Sequence, residues 1–323
     1  MKIGLVTVLY DDKPLEWVAQ YASTLGYQMV ELPGWQSNNH FDADRALHDR
    51  AYRDGIKRML AAHGLQISAI ASHHTGQMVL PPPDQSLVGW APSDDREGMV
   101  RFAVNRMKDY ARLAAAMELP VVTGFVGSTV WGNWYIWPPA NERLYEQGWD
   151  LFAERWGDIL DTFGEYGIKF ALEVHPTEIA YNLETAERAV ECLGGREEFG
   201  FNFDPSHLLW QLIDPVVFIR RLGKRTYHAH AKDAELQQDV LAYSGVIPTG
   251  PWQNPNRGFR FRVPGWGMAD WRRIISALVE VGYDYVLSFE HEDPVMSRED
   301  GMEQAIKFLS PLIIKKPLHQ VWW

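Results

Sequence analysis

A single cysteine, Cys192, occurs in 323 residues, so the chain cannot close a disulfide on itself. Cys192 lies in the helical run 184-ETAERAVECL-193 with no base beside it, which suits a reducing cytoplasm better than a reactive thiol. Long apolar runs are also missing. Nothing approaches the roughly 18 uninterrupted residues of a membrane helix, and the apolar stretch after Met1 is too short for a signal peptide and lacks a small-residue cleavage site. Positive charge is scarce: 31 Lys and Arg face 42 Asp and Glu, for a formal net charge of −11. A surface that neutralises phosphate backbones needs the opposite balance, so nucleic acid is not an expected partner. There is no P-loop, and no GxGxxG follows the first apolar run, which removes the main sign of a dinucleotide fold. These absences predict a soluble, cytoplasmic protein with no membrane partner.

What is present is regular alternation. Short β-rich runs (KIGLVTVLY, MVELPGW, QISAIASHH, PVVTGFVG, IKFALEVHP, FGFNFDPSH, TYHAHAKD and YVLSFEHED) are separated by stretches of helical period such as 100-VRFAVNRMKDYARLAAAMEL-119. Eight βα units in this length predict one (β/α)8 TIM barrel over residues 1–323. Glycine recurs just before the strand in LGYQMVEL, HGLQISAI, YGIKFALE and VGYDYVLSFE. There a helix C-cap needs positive φ. Three long loops, 75–92, 128–142 and 234–268, each follow a predicted strand and so should cover the same end of the barrel.

That end is where barrel enzymes keep their chemistry. His73, His74, His175, His207, His228, His230 and His291, seven of the eleven histidines, fall at predicted strand ends. Glu173, Asp204, His230 and Glu290 come from four consecutive strands and should converge near the axis. Three carboxylates so close would raise one another's pKa unless a cation sat between them. Three oxygens and one imidazole nitrogen suit Mn2+, Mg2+ or Co2+ better than the usual structural zinc sets. Manganese is the expected ion, with Mg2+, Co2+ or Zn2+ as alternatives. In TYHAHAKD, His228, His230 and Lys232 occupy alternate positions and share one face. By the same rule His175 shares the inward face with Glu173, and a neutral imidazole there would be a competent base.

LEVHP, NFDPSH, HAHAKD and SFEHED, in this order and with VPGWGMADWRRIISALVEVGYDYVLS before the last, resemble the sugar phosphate isomerase/epimerase family of xylose-isomerase-like barrels. The resemblance spans essentially the whole chain and is strongest from residue 168 to about 310. It implies metal ligation by Glu173, Asp204, His230 and Glu290, and a contact of His207 with substrate hydroxyls or a carbonyl. It also implies that Glu173 and Glu290 exchange a proton next to a carbonyl. EVHPTEIAYNLETAERA, DPSHLLWQ and EHEDPVMSRED are similar to the branch containing the catalytic subunits of C-glycoside deglycosidases, carbon–carbon lyases that act on 3-oxo-glycosides. The expected activity is therefore of isomerase/epimerase type, with that lyase, or a non-catalytic binding subunit, as alternatives.

The loops bear on the substrate. Trp131, Trp134, Tyr135 and Trp137 crowd 131-WGNWYIWPP-139, and Trp90 adds another ring. Such rings stack on sugars or on a flat aglycone, or they pack the loop on its own barrel. Substrate contacts are expected from His207, His228, Lys232, Trp131 and Trp134, and the expected partner is a small carbohydrate or glycoside. A homo-oligomer or a small accessory subunit stays open. Lys232, Arg257, Arg260 and Arg262 on the seventh loop are the best cationic candidates for a phosphate, but arginines on a long loop are more often paired or solvated than phosphate-binding.

Overall fold

The computed structural model describes residues 1–318 except 84–86, 94, 134–136, 140–141 and 252–253. Among the described residues there are ten strands, most of them short apolar runs rich in β-branched and aromatic residues. These are β1 (Lys2–Val6), β2 (Met29–Pro33), β3 (Gln66–Ala71), β4 (Val121–Gly124), β5 (Lys169–Glu173), β6 (Phe199–Phe203), β7 (Thr226–Ala231), β8 (Asp233–Leu236), β9 (Phe259–Arg262) and β10 (Val286–Phe289). All but β8 and β9 pair in parallel and close in the order β1-β10-β7-β6-β5-β4-β3-β2. This is the (β/α)8 barrel that the alternation predicts.

The turns behave as their glycines require. Gly26, Gly64, Gly167 and Gly282 have φ of 95°, 72°, 67° and 85°, a backbone region that costs a side-chain-bearing residue energy and glycine little. Around the barrel, the helix Glu142–Glu165 places Trp149, Phe152, Trp156 and Phe163 on one face. These spacings of three, four and seven make a helical stripe. Trp156 packs at 4.4 Å from the ring of Phe170 on β5, and its indole N–H donates to the Val126 carbonyl at 3.1 Å. The apolar layer between helices and strands thus also fixes the loop after β4.

Two local readings change. The first run is strand only to Val6, and Thr7–Tyr10 is a 3-10 turn. The segment after β7 is not all loop: β8 and β9 form an antiparallel hairpin that encloses a short helix, Gln238–Ser244. Among the described residues, no helix is long and apolar enough to cross a membrane.

Candidate metal and proton-transfer site

Strand ends bring the chemistry together. Glu173 is the last residue of β5, and Asp204 and Glu290 directly follow β6 and β10. His230 points inward from β7, beside Ser288 of β10. Asp204 also caps the short helix Pro205–Leu209, its Oδ1 accepting the Ser206 N–H at 2.8 Å. That bond turns Oδ2 toward Lys232, whose Nζ is 3.3 Å away. One ligand atom from each of Glu173, Asp204, His230 and Glu290 lies within 4.8 Å of the others.

His230 Nδ1 is 3.3 Å from both Glu173 Oε2 and Glu290 Oε2. Its Nε2 lies 3.0 Å from Glu31 Oε2. With Nε2 protonated against that carboxylate, Nδ1 presents a lone pair to the cluster, the arrangement a metal-binding imidazole needs. His230 Nδ1 and Asp204 Oδ2 are buried and make no hydrogen bond. Buried polar atoms rarely stay unpaired, and these two lie in a cluster that gathers three carboxylates around one imidazole. The donor set therefore fits a divalent cation.

The surrounding groups set the charge balance. Burial pushes Glu173 up, but His230, His207 and His73 outweigh it and hold this carboxyl well below its ordinary value. His207 Nε2 sits 3.1 Å from Glu173 Oε1, and His73 Nε2 sits 2.9 Å from Oε2. Burial raises Asp204, and it outweighs Lys232 and His207. Lys232 bridges Glu290 at 2.6 Å and Glu292 at 2.8 Å; burial works against its charge, but these carboxylates hold it protonated. For His175, burial and then His207 drive the pKa well down, so the ring is a neutral imidazole at neutral pH. It meets the His207 ring edge-on at 4.2 Å.

Not every expected contact is placed at the mouth. Lys232 extends the row of His228 and His230 as the alternation requires, but it is held by carboxylates rather than left free for substrate. His228 lies deeper, fully buried, with Nδ1 3.0 Å from Asn202 Oδ1 and Nε2 3.3 Å from Ser68 Oγ. Burial drives its pKa down to about 4. It supports the network under His230 and is not open to a substrate, because strand alternation fixes direction but not depth. Trp131 lines the mouth, edge-on to Tyr181 at 5.1 Å; Trp134 and Tyr135 lie outside the described residues. Arg260 pairs with Glu235, and Arg262 bonds Glu235 at 2.8 Å and Asp293 at 2.8 Å.

Glu31 has no motif to announce it. It sits inside the apolar run MVELP, and its partner His230 is 199 residues away. Burial would raise its carboxyl, but His228 and His230 hold it at about 2. The one available signal was a lone carboxylate in an otherwise apolar strand.

Two cavities flank the cluster. One of ≈ 440 Å³ is bordered by His74, Trp90, Phe125 and Trp131, and one of ≈ 360 Å³ by Trp131, His175, His207 and Trp210. His74 lies between the rings of Trp35 and Trp90, at 4.4 and 4.5 Å.

This barrel, with acidic and imidazole donors gathered at the strand ends, is that of the xylose isomerase-like enzymes. A profile of the xylose isomerase-like TIM barrel matches residues 19–312, and the chain belongs to that family. It is similar to the uncharacterised protein YfiH of Bacillus subtilis, 27% identical over 97% of this chain and 99% of that one. It also matches an inosose dehydratase of Lacticaseibacillus casei, 31% identical over 32% of this chain and 34% of the relative. Among solved structures, IolI with a bound zinc atom superposes with a TM-score of 0.67 at 18% identity, over 99% of this chain and 100% of that one.

Proposed function

We propose that the chain is a divalent-metal-dependent enzyme of isomerase/epimerase type, moving a proton next to a carbonyl of a sugar or oxo-sugar. The observation that carries this reading is the convergence of Glu173, Asp204, His230 and Glu290 within 4.8 Å, with buried donor atoms left unpaired. Those four residues would hold the ion; manganese suits the oxygen-rich set, and the zinc in the IolI structure keeps zinc in view. When bound, the ion supplies Lewis-acid polarisation of a carbonyl oxygen.

The chain's own groups do the rest. Glu173 and Glu290 approach from strands on opposite sides of β7, so one carboxylate can take a proton from carbon and the other return it to the opposite face. His175, kept neutral by its surroundings, is a second base beside Glu173. His207 holds Glu173 Oε1 in place and, with its other nitrogen unpaired, can meet a substrate hydroxyl. Return of the proton to the same carbon gives an epimer; return to the neighbouring carbon gives an isomer. Departure of a hydroxyl from the adjacent carbon as water gives dehydration. The inosose dehydratase relatives favour keeping that third outcome as the second reading.

The test incubates manganese-loaded protein in D2O with free ketoses, inososes and 3-oxo-glycosides, followed by NMR and mass spectrometry. Deuterium entering carbon next to a carbonyl, with epimers or isomers interconverting, is the expected result. Water or an aglycone released without return of the proton would make the enzyme a lyase. Protein that binds the metal yet exchanges no carbon-bound proton in any panel would end the proposal.

A further inference from the structure

An eight-stranded barrel closes without the β8–β9 hairpin, so that insertion calls for its own explanation. Strand β9 reads FRFR, and alternation puts Arg260 and Arg262 on one face and Phe259 and Phe261 on the other. The arginines are taken up by Glu235 and Asp293. The phenylalanines turn toward the barrel mouth, where Phe259 stacks flat on Trp210 at 4.3 Å and 4°. With Tyr181 and Ile247 they wall the cavity of ≈ 360 Å³ whose lining also includes His175 and His207.

This wall adjoins the reacting groups. The Phe261 ring lies 5.2 Å from the His207 ring, and His207 is bonded to Glu173 on its other side. Away from its His175 and His207 end the cavity offers little to a hydroxyl-rich ligand, because the Gln211 amide already donates to the Tyr181 carbonyl at 2.8 Å and the His207 carbonyl at 2.7 Å. Sugar hydroxyls placed against these rings would lose water without gaining partners. Apolar surface gains instead, and Ile247, 52% exposed, is left uncovered at the rim. A cavity of about 150 Å³ suffices for benzene, so this one has room for two fused rings.

We propose that the cavity is a specificity subsite for a flat apolar substituent, and that the substrate is a carbohydrate derivative carrying such a group rather than a bare sugar. This assignment rests on the proton-transfer reading for the part of the substrate at Glu173 and Glu290. Ile247, Tyr181 and Phe259 set the preference by covering the ring.

Metal-loaded protein titrated with 2-naphthol, followed by calorimetry and by NMR of the naphthol ring protons, tests the subsite alone. Saturable one-to-one binding is expected, weakened about tenfold by loss of apolar contact in Ile247→Ser and again in Tyr181→Ser, with circular dichroism reporting that both variants fold. Absence of saturable binding, or binding indifferent to both substitutions, overturns the proposal. The D2O exchange assay is independent of this titration. Proton transfer without naphthol binding would leave an enzyme of bare sugars, and naphthol binding without proton transfer would keep the subsite and remove the reaction.

Discussion

Glu290 and Glu31 act on the same imidazole from opposite sides, and their substitutions should separate chemistry from support. Glu290→Gln keeps shape and removes the charge that faces His230 Nδ1 at 3.3 Å. Loss of a general base costs about 10²–10⁴-fold in rate. Deuterium exchange should fall at least that far, metal binding measured by calorimetry should weaken, and the circular dichroism spectrum should stay unchanged. A fully active Glu290→Gln protein would remove this residue from the mechanism. Glu31→Gln removes none of the four groups that would hold the ion but loosens the tautomer and orientation of His230, which Glu31 bonds through Nε2. Partners of this kind are worth about 10- to 100-fold in metal affinity, so calorimetry should show a drop in that range, partly restored in Glu31→Asp. An unchanged affinity would leave Glu31 as a barrel-filling acid. The meeting of Glu173, Asp204, His230 and Glu290 was legible because strand ends of one barrel must converge. The bond of Glu31 to His230 and that of His73 to Glu173 were not, because such partnerships depend on depth along the axis, which periodicity does not encode.

At the scale of elements, the segment after β7 depends on one buried acid. Asp233 accepts the Trp271 indole N–H at 3.0 Å and the backbone N–H groups of Ala234, Ala269 and Gly265 at 2.8, 2.9 and 3.2 Å. These bonds tie the start of the hairpin to the chain entering the helix Trp271–Glu280. Asp233→Ala should strand several buried donors, each worth about 1 kcal/mol or more, and lower the unfolding free energy in urea by about 3 kcal/mol. Proteolysis should also quicken within 237–258. Stability within error of the parent would mean that water replaces the carboxylate. The eight barrel strands could be read from apolar runs and their glycine turns, since both signals are local. The hairpin could not: FRFR is four residues long and is flanked by glycine, proline and arginine, which reads as loop. Its strand state comes from pairing with β8, from Trp210, and from the carboxylates of Glu235 and Asp293.

Across the whole molecule, stability should carry a pH signature from an acid that takes no part in the proposed chemistry. Glu178 is fully buried, and its Oε2 accepts the Val126 and Gly127 N–H groups at 2.8 and 2.6 Å, joining the loop after β5 to the loop after β4. Burial raises its pKa to about 7, against the lowering effect of those two bonds. The folded chain therefore holds this proton between the ordinary carboxyl range and pH 7, where the unfolded chain has lost it. Stability follows the difference in bound protons, so it falls as pH rises through that window and levels off above it. At 1.36 kcal/mol per unit the loss amounts to about 3 kcal/mol. Glu178→Gln keeps an acceptor oxygen for both N–H groups and has no proton to lose. Urea unfolding at several values from pH 5 to 8 should show the parent losing stability relative to this variant across the interval. Parallel curves would mean that the carboxylate stays ionised in the fold, its two backbone bonds outweighing burial.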